Sequence, residues 1–253
     1  MEQITVCIPA HNNGRGIVEC MESVRKQKGA FKVIISDDAS TDNTAAVVSG
    51  YIRDNNLDWR FISDNYWLGC SLRRKFLLDL VDTPFVFFMD ADDYLIEDTV
   101  MEKVTPYLDG YDLIWINIDN DWGRHNEFTG NLWHDLSAGR IEPRINNVYK
   151  TELLRSVEWF PEQYGEVVYI SQAVMCQKPR CFFLPDKLYK WRNIGESVTS
   201  KMTGEEAWTG RFLYSKRIWE LMNEHKDLVN GGGFIKPVYF DYEKYLEDWK
   251  NGK

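Results

Sequence analysis

The feature that most constrains the fold is a run of five residues, 85–89, in which every side chain is apolar. A strand that is apolar on both faces must be covered on both sides, which is typical of a central strand in a parallel sheet. The run leads directly into the acidic segment at residues 90–93, Asp-Ala-Asp-Asp. Other strand-like runs at 4–8, 31–35 and 59–62 alternate with helical patterns at 17–24, 45–52 and 72–81. This alternation predicts an α/β fold with a parallel, doubly wound sheet.

The bulk composition restricts the class of protein. The chain has 253 residues, of which 44% are hydrophobic and 27% charged, which favours one compact domain and argues against disorder. No apolar stretch approaches the ~20 residues of a membrane span, and the N-terminus enters a strand without a basic leader, so we expect a cytoplasmic protein with no integral membrane segment. A net charge of −9 argues against broad nucleic-acid binding. Five cysteines without a C-x-x-C pair predict reduced thiols.

The second half of the chain has a looser pattern. Residues 119–147 are polar and suit loops at an acceptor site. Extended and helical segments are predicted next at 111–118, 148–157, 167–175, 182–184 and 188–192. Residues 204–225 carry aromatic and apolar side chains at helical spacing. We therefore expect a domain at 1–200 and an aromatic-rich helical extension at 201–253, which packs on the core or forms a homodimer contact.

The acidic segment after residue 89 is the strongest local sign of chemistry. Adjacent carboxylates at the end of an apolar strand are costly unless a cation neutralises them. Mg²⁺ binds through one or two carboxylates together with phosphate oxygens, and Mn²⁺ accepts the same ligands. The alternative is that these aspartates cap a helix that follows at 95–104. Three aspartates at the end of such a strand favour the metal.

A second acidic pair, Asp37 and Asp38, follows the second predicted strand. A carboxylate there is able to accept a hydrogen bond from a nucleobase N–H, which uracil, thymine and guanine possess and neutral cytosine lacks at the matching position. The pair mildly favours uridine, thymidine or guanosine nucleotides. An ordinary polar turn with Ser40 and Thr41 is the alternative.

Several ordered motifs together resemble the family 2 glycosyltransferases of the GT-A fold. The resemblance covers roughly residues 3–200. It rests on the segments ITVCIPAHN at 4–12, ISDDASTD at 35–42, NYWLGCSLRR at 65–74 and FFMDADD at 87–93, and on Ser23 and Gln27. The resemblance implies a Rossmann-like, mostly parallel sheet flanked by helices and a nucleotide-diphosphate sugar as donor.

The resemblance also implies roles for individual residues. Pro9 and His11 would line the pocket for the base, and Asp38 would contact the base. Asp90 would lie near the ribose. Asp92 would hold the Mn²⁺ or Mg²⁺ ion that bridges the diphosphate.

Basic residues have implied roles as well. Arg74 stands where the family has an arginine that faces the nucleotide, whereas Lys75 replaces the usual asparagine and could alter donor contacts. Without the family, positions 73–75 also fit a solvated helix face. Arg192 or Lys190 would lie near the diphosphate and stabilise the leaving group; the alternative is a surface strand with scattered cations.

The catalytic position departs from the family pattern. The acceptor-side motif usually reads Gly-Glu-Asp, with the aspartate as general base, but here it reads Gly165-Glu166-Val167. Valine does not accept a proton, so Glu166 is the nearest candidate base. Glu162 or Asp135 is an alternative, as is a catalytically weak or inactive protein that only binds nucleotide sugars.

The expected function is therefore metal-dependent, inverting transfer of a sugar, from a donor of the UDP type, to a hydroxyl group. The acceptor could be a glycan, a lipid-linked glycan, a protein or a modified nucleobase. A phosphatase would need an aspartate on the first strand, which ends in Pro9 instead. A NAD-linked dehydrogenase would need G-x-G-x-x-G after that strand, and the motif is absent.

Overall fold

The computed structural model describes residues 2–120, 128–129, 135, 140–141, 143–161, 165–192 and 204–225. The strands within these residues are β1 (Ile4–Ala10), β2 (Phe31–Asp38), β3 (Arg60–Asp64), β4 (Phe85–Phe88), β5 (Tyr94–Leu95), β6 (Leu113–Asn120), β7 (Val148–Lys150) and β8 (Cys181–Trp191). They form one sheet in the order β3-β2-β1-β4-β7-β6-β8-β5.

The helices lie on the two faces of this sheet. They are α1 (Ile17–Arg25), α2 (Thr44–Asp54), α3 (Gly69–Leu80), α4 (Val100–Val104), α5 (Thr151–Arg155), α6 (Glu166–Cys176) and α7 (Gly204–Glu224). A single 3₁₀ turn, Thr105–Tyr107, follows α4. The alternation of strands and helices confirms the α/β class expected from the sequence.

The N-terminal half of the sheet is parallel. Strand β1 pairs with β2 on one side and with β4 on the other, and β2 pairs with β3, all in parallel register. All four residues of β4 are buried, as expected for a central strand. The carboxyl ends of these strands therefore meet at one edge of the sheet, where ligands bind in open α/β folds.

The C-terminal half of the sheet is mixed rather than parallel. Strand β7 pairs antiparallel with both β4 and β6, while β6 and β8 are parallel. The two extended segments predicted at 182–184 and 188–192 form one long strand, β8. Register shifts at Asn117 let β8 continue past the irregular stretch between them.

The helix expected at 95–104 is wrong in its first half. Tyr94 and Leu95 form β5 and pair with β8, and the Ile96 amide donates to the Leu188 carbonyl at 2.9 Å. Helix α4 begins only at Val100. The aspartates at 90–93 therefore do not cap a helix, which removes the structural alternative considered for them.

Two apolar clusters cover the two faces of the sheet. Because successive strand residues point to opposite faces, Val6 and Ile8 belong to the cluster under α1, α2 and α4, whereas Cys7 belongs to the other. That second cluster lies under α3, α5, α6 and α7, and includes Tyr214 and Ile218 of α7. The part of the predicted extension that the structure describes thus packs on the same core as residues before position 200.

Other expectations from composition have mixed outcomes. No disulfide joins any of the five cysteines, and Cys7, Cys20 and Cys176 are buried, as expected for reduced thiols. No helix in the described ranges is both long enough and apolar enough to cross a bilayer. The aromatic tail at 226–253 and the proposed homodimer contact fall outside the described residues, so the dimer stays a prediction.

Candidate active site

The loops after β1, β2 and β4 lie side by side, because β2 and β4 flank β1 in the sheet. The Nδ1 atom of His11, after β1, donates to the backbone oxygen of Asp38 at the end of β2, at 2.7 Å. The Cys20 thiol donates to the backbone oxygen of Asp90, after β4, at 3.6 Å. The structure therefore brings together the polar loops that follow β1, β2 and β4 at one edge of the sheet.

Asp38 is held rigidly by its neighbours. Its carboxylate accepts hydrogen bonds from the backbone amides of Leu68 and Gly69, both at 2.8 Å, and from the guanidinium of Arg73 at 2.7 and 3.0 Å. Arg73 is fully buried and also pairs with Asp64 at 2.5 Å. Asp38 thus fixes the loop between β3 and α3, and its predicted contact with a base would use the acceptor capacity left on Oδ2.

The other two predicted base-pocket residues lie beside Asp38. Pro9 is opposite Ser36 of β2 in the parallel register. His11 is part-buried, and its second ring nitrogen accepts a hydrogen bond from the Asn12 amide at 3.0 Å. Their contacts with a base stay predictions.

An arginine links the acidic loop after β4 to the candidate base. Arg74, buried on α3, donates to the Asp90 carboxylate at 2.7 Å and to the Glu166 carboxylate at 3.2 Å. The other oxygen of Asp90 accepts from the Asn146 side-chain amide at 3.2 Å. The sequence motifs predicted the carboxylates of Asp90 and Glu166. They did not predict that Arg74 joins the two or that Asn146 bonds to Asp90, because these residues are distant in sequence.

Glu166, the candidate base, is the first residue of α6. It follows Gly165, which has a left-handed backbone with φ of 91°. The Glu166 side chain is buried, and burial raises the pKa of its carboxyl, while the nearby Arg74 opposes that rise. A buried carboxylate with a raised pKa is suited to accepting a proton.

The competing positions for a base differ in their surroundings. Val167 is partly buried and packs against the second apolar cluster. Asp135 is fully buried, and its carboxylate accepts hydrogen bonds from both the amide and the hydroxyl of Thr129 at 2.7 Å. Glu162 falls outside the described residues. Glu166 is therefore the candidate base that the structure brings to the acidic loop.

Asp92 is half-buried, and the pKa of its carboxyl is raised to about 6 by burial and by the neighbouring Asp90. Within the described ranges, no other residue donates a hydrogen bond to this carboxylate. A divalent cation would relieve both costs, so the residues fit a metal. The described part of the chain contains no group of three His, Cys, Asp or Glu side chains able to hold an ion alone. Phosphate oxygens would have to complete the coordination.

Asp93, the third aspartate of the loop, connects it to β8. It is buried, and its carboxylate accepts the Tyr189 hydroxyl at 2.7 Å and the Arg192 amide at 2.9 Å. Burial, with Asp90 and Asp92 nearby, raises the pKa of Asp93 to about 8. The Tyr189 hydroxyl in turn accepts the Asp90 amide at 3.1 Å. This network fixes the acidic loop, and nothing in the local sequence around Tyr189 signalled it.

Of the two basic candidates in the late segment, only Arg192 lies at the acidic loop. Its guanidinium donates to the backbone oxygen of Asp92 and to the Glu19 carboxylate, and lies 5.3 Å from the centre of the Tyr94 ring. Lys190 instead pairs with Asp119 at 2.8 Å.

Lys75, the departure from the family pattern, forms an exposed pair with Asp79 one helical turn away at 2.6 Å. The suggested solvated face at 73–75 is therefore correct only for Lys75, because Arg73 and Arg74 are both buried.

Comparisons with known proteins agree with this geometry. The sequence profile of "Glycosyl transferase family 2" matches residues 5–165, well over half of the chain. The poly(ribitol-phosphate) beta-N-acetylglucosaminyltransferase TarS of Staphylococcus aureus is 26% identical over 222 residues, which cover 81% of this chain and 38% of TarS. The chain therefore spans about two fifths of the length of this curated relative.

Solved structures share the fold. A crystal structure of residues 1–349 of TarS in complex with UDP-GlcNAc aligns with a TM-score of 0.72 and 20% identity, covering 98% of this chain and 80% of that one. The mannosyltransferase PcManGT from Pyrobaculum calidifontis, in complex with GDP-Man and Mn²⁺, aligns with a TM-score of 0.64 and 16% identity, covering 87% and 64%. These likenesses confirm the expected GT-A architecture.

Proposed function

The chain belongs to glycosyl transferase family 2, and on that premise we propose that it transfers a sugar from a UDP-linked donor to a hydroxyl group with inversion at the anomeric carbon. The observation that carries this proposal is the arrangement at the end of β4. There, Asp90 shares a buried arginine with Glu166, and the neighbouring Asp92 carries a raised pKa.

The donor base would bind at the end of β1 and β2. His11 donates to the backbone of Asp38, whose carboxylate holds the neighbouring loop, so the pocket is rigid before the nucleotide arrives. The remaining acceptor capacity of Asp38 suits a base that carries an N–H at the matching position, as uracil does. The TarS relative, which is crystallised with UDP-GlcNAc, supports uridine and makes UDP-GlcNAc the first donor to test.

Asp92 would hold Mn²⁺ or Mg²⁺ together with the diphosphate oxygens, and Asp90 would lie near the ribose. The ion, when bound, would neutralise charge on the departing diphosphate. Arg192, which donates to the backbone of Asp92, would add positive charge on the same side. Arg74 would keep Asp90 in position, because it donates to that carboxylate at 2.7 Å.

Glu166 would act as the general base. The acceptor oxygen attacks the anomeric carbon, the bond from that carbon to the diphosphate oxygen breaks, and UDP leaves with the electron pair. The hydroxyl proton passes to the Glu166 carboxylate. The side opposite the leaving group is attacked, which inverts the anomeric configuration.

The acceptor would be a hydroxyl-bearing molecule. TarS is named for action on poly(ribitol-phosphate), so a polyol-phosphate polymer is the first acceptor to test. Simple glycans and lipid-linked glycans serve as comparison acceptors.

Ligand-induced stabilisation tests the donor site directly. We expect UDP and UDP-GlcNAc with Mn²⁺ to raise the melting temperature, since a ligand at ~100 times its Kd adds ~2.7 kcal/mol of stability. GDP and CDP under the same conditions should give smaller shifts. Equal shifts with all three nucleotides would contradict the uridine pocket, and no shift with any of them would contradict the proposed function.

A binding protein without transferase activity is the alternative, and the ion pair between Glu166 and Arg74 favours it because the arginine stabilises the ionised carboxylate. Measured UDP release separates the two. Stabilisation by UDP-GlcNAc and Mn²⁺ without UDP release, across polyol-phosphate and glycan acceptors, would establish the binding function instead.

A further inference from the structure

The residue that precedes the candidate base has little room for a side chain. Gly165 adopts φ of 91°, a conformation that side chains rarely allow. A Cβ atom at this position would lie 3.2 Å from Cβ of Tyr214 and 3.4 Å from two atoms of its ring. The three heavy atoms nearest to that Cβ all belong to Tyr214. Helix α7 thus rests directly on the backbone that leads into α6.

Tyr214 is well fixed in this contact. Only 2% of its surface is exposed, and its ring centre lies 6.2 Å from that of Tyr169 on α6. Ile218, one turn further along α7, is buried in the same apolar cluster. The contact between Tyr214 and Gly165 therefore lies in the packed core and not on the protein surface.

The contact between Tyr214 and Gly165 lies next to the first turn of α6. The backbone oxygen of Gly165 accepts the amides of Val168 and Tyr169 at 3.1 and 3.2 Å, so it anchors the start of the helix. Glu166 is the next residue, and its carboxylate accepts a hydrogen bond from Arg74 at 3.2 Å. The position of this carboxylate depends on where the helix starts as well as on the arginine.

We propose that Tyr214 is a positioning residue for Glu166: its ring holds Gly165 in the left-handed conformation and thereby sets the carboxylate at the acidic loop. Tyr214 lies outside the family match at 5–165, so this role comes from the chain's own C-terminal helix. The inference rests on the proposed transfer function, in which Glu166 is the base.

The test compares Tyr214→Ala with Tyr214→Phe, which keeps the ring, and with Ile218→Ala, which removes a similarly buried side chain of the same helix. The readouts are UDP release from UDP-GlcNAc with Mn²⁺ and donor affinity by calorimetry. We expect Tyr214→Ala to lower kcat by about tenfold to 100-fold, because small displacements of reacting groups have effects of that size. Donor Kd should stay within about twofold of the wild type, since the loops that would bind the nucleotide are unchanged.

Tyr214→Phe should restore kcat, and Ile218→Ala should keep it even if both alanine variants melt at lower temperature. Equal losses of kcat in Tyr214→Ala and Ile218→Ala would overturn the inference, because a general loss of packing would then explain both. Gly165→Ala should reproduce the Tyr214→Ala phenotype, with kcat reduced and donor Kd kept. Wild-type kcat in the glycine variant would also overturn it.

Amide hydrogen exchange separates this inference from the proposed function. Exchange at Val168 and Tyr169 should rise in Tyr214→Ala and not in Ile218→Ala, since these amides bond to the Gly165 oxygen. No difference between the two variants overturns the inference while the wild type still releases UDP. A wild type that binds the donor but never releases UDP would contradict the proposed function, and with it the positioning role.

Discussion

Two acidic segments end the strands on either side of β1, and their carboxylates have opposite surroundings. At the end of β2, Asp38 accepts four hydrogen bonds from Leu68, Gly69 and Arg73. At the end of β4, Asp92 receives none from other described residues, and its pKa is raised to about 6 by burial and by Asp90. The same sequence pattern thus gives a carboxylate that the protein itself neutralises at Asp38, and a carboxylate that a bound cation would neutralise at Asp92.

Two consecutive arginines of α3 form ion pairs with the carboxylates of the two segments. Arg73 pairs with Asp38 and Asp64, whereas Arg74 pairs with Asp90 and Glu166. Successive residues of a helix point ~100° apart, so one turn of α3 reaches both strand ends. The difference teaches that adjacent acids indicate a cation site only where the protein itself leaves the charge uncompensated.

The largest expected effect is that of Asp92→Ala. Charge stabilisation by a metal is worth several kcal/mol, so we expect UDP release to fall by roughly a thousandfold or more. The melting temperature of the free protein should not fall, because the raised pKa indicates that the ionised carboxylate is unfavourable in the folded state. Asp82→Ala, at an exposed surface pair with Lys32, is the control. Lower stability in Asp92→Ala would put this aspartate in the structural class with Asp38.

Glu166→Gln tests whether the carboxylate that shares Arg74 is the base. We expect turnover to fall by about a hundredfold to ten-thousandfold while donor affinity is kept. A general base acts in its ionised form, and burial raises the pKa of the Glu166 carboxyl above its usual 4.5. Turnover should therefore increase with pH through a midpoint above 4.5, as measured by initial rates of UDP release. A variant with wild-type turnover, or with the same pH profile, would exclude Glu166.

Arg73→Met tests the structural side of the comparison. It leaves the buried Asp38 carboxylate with only two amide donors, and breaking a buried pair costs about 3 kcal/mol of unfolding free energy. Urea denaturation measures this loss. Lys75→Met, which removes an exposed pair on the same helix, should cost less than about 1 kcal/mol. Similar values for the two variants would show that the network around Asp38 is not structural.

The smallest effect concerns how the metal binds. Because the described residues offer no complete set of protein ligands, we expect Mn²⁺ to bind at least about tenfold more tightly when UDP is present. Calorimetric titration of Mn²⁺ with and without saturating UDP measures the ratio. Equal affinities would indicate a site built by the protein alone.

The fold was largely predictable because β1, β2 and β4 are apolar runs that end in polar loops, a local signal. The helix expected at 95–104 was wrong for a non-local reason: Tyr94 and Leu95 pair with Lys190 and Tyr189 of β8, respectively, far along the chain. Likewise, the sequence of the three residues of β7 does not indicate that this strand pairs antiparallel with its neighbours. Long-range pairing overrides local pattern in such short segments.

The candidate site was predictable only as far as its motifs reach. The positions of Asp38, Asp90, Asp92 and Glu166 follow from local segments, and the structure brings them to one edge. Their partners do not follow: Arg74 bonds to a residue 92 positions away. Nor does the basic triplet at 73–75 show by itself that its two arginines are buried and its lysine is exposed. Contacts of this kind become visible only once the sheet is assembled.

The packing of Tyr214 on Gly165 has a practical consequence for the design of truncated or chimeric forms of this protein. An expression boundary drawn where the family profile stops, at residue 165, would sever the chain directly before Glu166. A boundary near residue 200 would remove α7 and expose the backbone of Gly165, which Tyr214 covers. Grafting the N-terminal portion onto the remainder of a longer relative would therefore require a replacement for this helix in the recipient.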